Sequence, residues 1–305
     1  DAGTPAPRGM RRLVLLAGIW GWSFLLIKVA VAGMTPTTVA GIRVALGAGV
    51  LSAVVRARGL SLPRDPQWWR HFSVVALAGS AAPFSLLAWG EQHISSALAA
   101  VLNASTPLFA ALFASMLLRE RLRPLQVAGL ALGLAGVAVV AGLGGEDITG
   151  SGLGGKAAAV GAAVGYGISL TYTRRHLTPL PPLVAAAGQL VMATLMLAPL
   201  AVLTTVRQGM EVTPTRALAV GLLGVFGTGL AYVMVYRLIA DVGSTKASVV
   251  TYLVPVVAVA VGVLFLEEDF SLRLVVGGAV VIAGIALVNV GGRVPWRERL
   301  PAGAA

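Results

Sequence analysis

The apolar positions of this chain do not fall into short alternating stripes. They run in blocks of about 20 residues, parted by short polar breaks, at roughly 13–33, 36–55, 72–91, 95–118, 124–143, 155–174, 180–203, 216–238, 243–266 and 271–291. About 20 apolar residues is what a helix rising about 1.5 Å per residue needs to cross a bilayer core. The pattern predicts an all-α integral membrane protein with ten transmembrane helices. The first block follows Arg8, Arg11 and Arg12, as a signal peptide or twin-arginine leader would. It continues to about Gly33, past the length of a secretory apolar core, and no small-x-small cleavage site follows. It reads as a first membrane span.

One stretch, from Ala88 to Gly142, organises the rest. It holds a proline-centred segment (Asn103, Ala104, Ser105, Thr106, Pro107), a charged break (Arg119 to Pro124) and a glycine-dotted helix (Gly129, Gly133, Gly136). Shifted by 148 residues, Pro107 meets Pro255, Glu120 meets Glu268, Gly129 meets Gly277, Gly136 meets Gly284, and upstream Gly79 meets Gly227. The early spans align at a shift of 146, with Trp20 on Tyr166, Gly21 on Gly167, Lys28 on Arg174, Pro36 on Pro182 and Arg43 on Gln189. Apolar matches arise by chance in such a composition, so the prolines, glutamates and breaks carry the case. The expected organisation is two five-helix units, 13–143 and 155–291, joined by a linker at 144–154. Five is odd, so the second unit enters the membrane from the opposite side, an inverted repeat. In secondary transporters that design places a site near the midplane and exchanges access by rocking the halves.

Composition sharpens this. The chain is 57% hydrophobic and 11% charged, with mean hydropathy +0.87, so the lipid bilayer must be its solvent. The net charge of +11 would point to nucleic acid in a soluble protein, but it lies in loops and serves topology instead, so no nucleic-acid partner is expected. Seventeen basic residues fall on one side of the predicted spans and four (Lys156, Arg207, Arg216, Arg273) on the other, which puts both termini in the cytoplasm of a bacterial-type inner membrane. There is no cysteine, and no metal, cofactor or enzyme motif. The GSGLGG run at 150–155 matches G-x-G-x-x-G literally, but no strand precedes it, so it reads as a flexible join.

Trp20-Gly21 in the first helix, Lys28, Pro36 and Arg43 opening the second, and the Pro107 and Arg119-Glu120 pattern together resemble the drug/metabolite transporter superfamily, specifically its EamA-type ten-helix exporters. The resemblance covers residues 13 to 291. It implies a carrier of small metabolites, often an amino-acid exporter, with a cavity lined by both halves. The second unit departs where Gln189 replaces Arg43 and where Glu267-Glu268-Asp269 replaces Arg119-Glu120-Arg121.

Candidate binding residues follow from what a bilayer makes costly. Pro107 and Pro255 lack an amide hydrogen, so the carbonyls of Asn103 and Thr251 lose their helical partners. Matching breaks point to a cavity, or else to kinks satisfied by a neighbouring helix. Arg43 lies about 10 Å into its span, where a charge costs roughly 2.5 to 3.5 kcal/mol. It either holds a substrate carboxylate or snorkels to the interface. Lys28 reads as an interfacial anchor. The deep aromatics Trp20, Phe84, Tyr166, Tyr172, Tyr232 and Tyr252 suit an apolar cavity or ordinary packing. With Gln189 they complete the set and favour aromatic or bulky apolar amino acids over the alternatives, a drug or other metabolite carrier and a non-transporting scaffold. All 12 acidic residues lie in loops or near span ends, which predicts facilitated or weakly coupled transport; the sequence leaves the oligomeric state open and is compatible with a monomer. Glu91 and His93, with Asp241 aligned to His93, are the candidate gating or coupling groups, against a simpler reading as solvated loop residues.

Overall fold

A computed structural model describes residues 7–142, 152–269 and 271–291 of the chain. The linker at 144–154 therefore lies mostly outside the described residues. Helices account for nearly all the rest, and no strand occurs among the described residues. Their order is α1 (Pro7–Val31), α2 (Pro36–Ala57), α3 (Pro66–Ala76), α4 (Ala82–Gly90), α5 (Ser96–Asn103), α6 (Thr106–Leu117), α7 (Pro124–Ala141), α8 (Leu153–His176), α9 (Pro182–Gln208), α10 (Pro214–Gly224), α11 (Ala231–Ala247), α12 (Val250–Phe265) and α13 (Leu272–Gly291). Single π-helical turns, Leu77–Ala81 and Val225–Leu230, join α3 to α4 and α10 to α11.

Local chemistry sets the starts. Proline occupies the first turn of α2, α3 and α10, where its missing amide hydrogen costs nothing. The preceding Thr35, Asp65 and Thr213 cap an amide two or three residues on. α7 stops at Gly142, left-handed at φ 83°.

Eight helical stretches among the described residues are long and apolar enough to cross a membrane. α12, with 16 residues, is shorter, and the 24-residue α8 is less apolar. α8 trades hydropathy for close packing: Gly167, Ser169 and Thr171 are buried on it, and a Cβ on Gly167 would sit 2.8 Å from the backbone of Phe109 and Ala110 in α6. The predicted loop between the eighth and ninth blocks is helical, because α11 continues to Ala247. Ser95 caps α5, whereas Gly243 stands at the corresponding position of α11.

Several features recur at the 148-residue register. The π turns begin at Leu77 and Val225. Arg119 and Glu267 are the non-glycine residues with positive φ, 55° and 52°. After each, the next amide turns back to a carbonyl, Glu120 to Ala114 at 3.5 Å and Glu268 to Gly262 at 3.2 Å. The breaks in spans four and nine differ. The first falls at Ala104–Ser105 and leaves Pro107 in the opening turn of α6; the second falls at Ser248–Val249 and leaves Pro255 inside α12.

The two parts of the chain interlock through α2 with α9, α1 with α12, and α7 with α13. In the last pair a Cβ on Gly284 would lie 2.4 Å from the Gly133 backbone, so only glycine permits that approach. At the end bearing Ser96 and Glu268, α5 packs against α12.

Candidate functional site

The two π turns meet the middle of α2 and α9. A π turn inserts one residue into the ladder and is common at functional positions. Here each aims a hydroxyl inward: Ser80 and Thr228, both fully buried. Arg43 of α2 is 7% exposed, and its Nε donates to Thr228 Oγ1 at 2.8 Å. Thr228 in turn donates to the Leu223 carbonyl at 3.0 Å. Gln189 of α9 makes the mirrored contact, its Nε2 donating to Ser80 Oγ at 2.9 Å. Tyr232 also bonds to Ser80.

The Arg43 guanidinium carbon stands 3.9 Å from the Phe84 ring centroid, a cation–π contact strengthened by burial. Phe84 meets Tyr166 edge-on, with centroids 6.3 Å apart. Tyr166, Tyr232 and, as the smallest of the three influences, the Glu91 carboxylate lie close enough to the guanidinium to couple with it electrostatically, although none is in ion-pair contact. No carboxylate pairs with Arg43 among the described residues. Snorkelling is therefore not its state: it is a buried cation held by a hydroxyl and a ring. Trp20 joins the same layer by donating Nε1 to the Gly227 carbonyl at 3.3 Å.

The proline breaks give a mixed result. The Asn103 carbonyl accepts from Thr106 Oγ1 at 2.8 Å, so a neighbouring hydroxyl takes the place of the lost amide. Its side-chain Oδ1, by contrast, is buried without a partner. In the second part Thr251 Oγ1 donates to the Ser248 carbonyl at 2.7 Å, and Pro255 is buried inside α12.

Other predicted residues lie elsewhere. Tyr172 belongs to a ring cluster at the Arg119 end, its hydroxyl 2.9 Å from His71 Nδ1 and its ring against His176. The Tyr252 hydroxyl accepts from the Asn289 side-chain amide. His93 is exposed, stacked on Trp89 with Nδ1 against the Trp89 carbonyl at 2.9 Å. Asp241 pairs with Arg12 at the opposite end.

Glu91 corrects the reading of a solvated loop carboxylate. It is 0% exposed, and neither carboxyl oxygen has a partner. Lys28 is more than an interfacial anchor, since its ammonium donates to the carbonyls of Glu91 at 2.5 Å and Ile94 at 2.9 Å. The premise that every acidic side chain is solvated therefore fails.

Ser80 and Thr228 escaped the sequence reading although each follows an aligned glycine, Gly79 or Gly227. That pairing was the available signal, but a π turn leaves no mark in hydropathy.

The EamA-like transporter family model matches this chain twice, over residues 9–142 and 153–290. The chain belongs to that family. It is 31% identical over 286 residues to a probable terminal-alkyne amino-acid exporter of Streptantibioticus cattleyicolor, covering 91% of this chain and 92% of the relative. It is 26% identical to the uncharacterized transporter YvbV of Bacillus subtilis, covering 93% and 92%. It is 28% identical to the uncharacterized inner membrane transporter YedA of Escherichia coli, covering 90% and 88%. A crystal structure with 23% identity superposes at a TM-score of 0.65, covering 93% of this chain and 98% of that one, and supports the fold alone. This EamA protein is accordingly a multi-pass membrane transporter.

Proposed function

We propose that this EamA protein exports amino acids, aromatic or bulky apolar ones included, by alternating access between two inverted five-helix halves. The observation that carries the substrate class is Arg43. A buried guanidinium without a protein carboxylate is completed by an anion from outside the chain, and an α-carboxylate is the anion every amino acid brings. Phe84, Tyr166, Tyr232 and Trp20 supply an apolar surround for a bulky side chain, and Asn103 Oδ1 offers an acceptor for an ammonium group. The amino-acid-exporter name of the Streptantibioticus relative is in keeping with this reading.

The recurrence of π turns, left-handed residues and turned-back amides at one register supports the repeat. Basic residues crowd the Arg119 end, which makes that end cytoplasmic and the Glu268 end external. Packing of α5 on α12 at the Ser96 end fits a carrier closed outside.

The test is uptake of labelled aromatic and aliphatic amino acids into liposomes of verified orientation. Saturable uptake whose half-saturation concentration rises in Arg43→Ala is expected. Uptake of no amino acid by folded, inserted protein would overturn the substrate class.

A further inference from the structure

Glu268 lies in the turn between α12 and α13, yet its carboxylate reaches the start of α5 in the other part of the chain. Oε1 accepts from the Ser96 amide at 2.6 Å and Oε2 from the Ala97 amide at 3.0 Å. Ser95 Oγ takes the Leu98 amide at 3.2 Å, so the first turn of α5 owes two of its three caps to a residue 172 positions away. A carboxylate there gains both charge-assisted hydrogen bonds and the positive end of the helix dipole.

The docking place is built for it. A Cβ on Gly262 of α12 would stand 2.5 Å from Glu268 Oε2 and 3.2 Å from Ser96 Oγ, so the absence of a side chain there is what admits the carboxylate. Glu267 holds φ 52°, a conformation unfavourable to a residue with a Cβ, and the Glu268 amide turns back to the Gly262 carbonyl. Lys28 of α1 pins the α4–α5 turn through the carbonyls of Glu91 and Ile94. Glu120 occupies the matching turn at the other end. There the carboxylate meets Arg174 at 2.7 Å near the surface, and the residue in the place of Gly262 is Ala114.

We propose that Glu268 is a positioning residue for transport, a latch whose carboxylate shuts the Ser96 end by tying the α12–α13 turn to α5, and which leaves Ser96 and Ala97 before that end opens. The latch rests on the alternating-access reading, and it is one-sided because only one end has the glycine cradle.

The chain has no cysteine, so Ala104→Cys, at the α5–α6 break, gives a single reporter. A membrane-impermeant maleimide is applied from either face of sealed vesicles. The parent should label faster from the Arg119 face. Glu268→Gln weakens both charge-assisted bonds and should raise labelling from the Ser96 face about tenfold. Gly262→Ala should do the same while keeping the carboxylate, and alanine favours the helix, which protects against a folding failure. Glu268→Asp should give a smaller rise, and Glu120→Gln should leave labelling from the Ser96 face unchanged. Parent-like labelling in both folded variants, or a rise equal from both faces, would overturn the latch. Amino-acid uptake in the same vesicles separates the two readings. A side-specific response without uptake keeps the latch and removes the substrate class; uptake with an unresponsive reporter does the reverse.

Discussion

Arg43 and Gln189 are counterparts that cross over. Each stands one turn or more inside its helix and donates to a hydroxyl on a π turn of the other part of the chain, Thr228 for Arg43 and Ser80 for Gln189. Because one is a cation and the other a neutral amide, the same scaffold presents a single positive charge off-centre. On the proposed reading, an amino-acid zwitterion binds in one orientation, with its carboxylate toward Arg43.

Arg43→Ala should raise the half-saturation concentration for amino-acid uptake by about 10- to 100-fold, corresponding to roughly 1.4 to 3 kcal/mol of lost charge-assisted bonding. Arg43→Lys keeps the charge but loses the planar fork, and should recover only part of that loss. The thermal midpoint in detergent should fall little in Arg43→Ala, since removing an uncompensated buried charge offsets the lost contacts. Concentration-dependent uptake beside a melting curve checks both statements.

Phe84→Leu keeps an apolar side chain of similar reach and removes the ring under the guanidinium. A desolvated cation–π contact contributes about 2 kcal/mol, so initial uptake at low substrate should drop by roughly 30-fold. Arg43 freed from the ring should also show broader substrate tolerance in a competition assay.

Glu91 is buried without a hydrogen-bond donor, and burial of that kind favours the protonated carboxyl. Opening the Glu268 end hydrates it and lets it ionise. The closed form then binds more protons at this residue, so lowering the pH on that side should favour closure and slow uptake. Glu91→Gln, which imitates the neutral group, should flatten the pH profile above the ordinary carboxylate range while the protein still folds. Uptake rates measured with pH varied only on the Ser96 face decide it.

Gly284→Ala places a Cβ within 2.4 Å of the Gly133 backbone, where neither partner can rotate away. The cost should be about 1 to 3 kcal/mol, seen as a lower thermal midpoint. Gly221→Ala, with nothing within 4 Å of the added atom, should be neutral or slightly stabilising.

Much of the architecture was legible. Most of the apolar blocks recur as helices long and apolar enough to cross a membrane, and the cost of a charge inside a span narrows Arg43 to two readings, of which burial is the one found. Tyr172 and Tyr252 were assigned to the cavity by depth alone, and depth says nothing about which face of a helix a ring occupies. Each is bonded elsewhere, to His71 and to Asn289. Glu91 was misread for the converse reason. Its position just after a span looks solvated, but α5 and Lys28 fold back over it.

The sequence by itself determined that this chain dissolves in lipid, where its proline-led helices start, and which residues a bilayer makes expensive, because those are one-dimensional consequences of hydropathy, proline and charge. Only the tertiary structure decided which hydroxyl each buried donor meets, that one carboxylate is sealed in and another caps a helix 172 residues away, and that α5 packs on α12 at the Ser96 end. Those depend on helix rotation and π-turn register, where a shift of one residue turns a side chain by about 100° and leaves the apolar pattern unchanged.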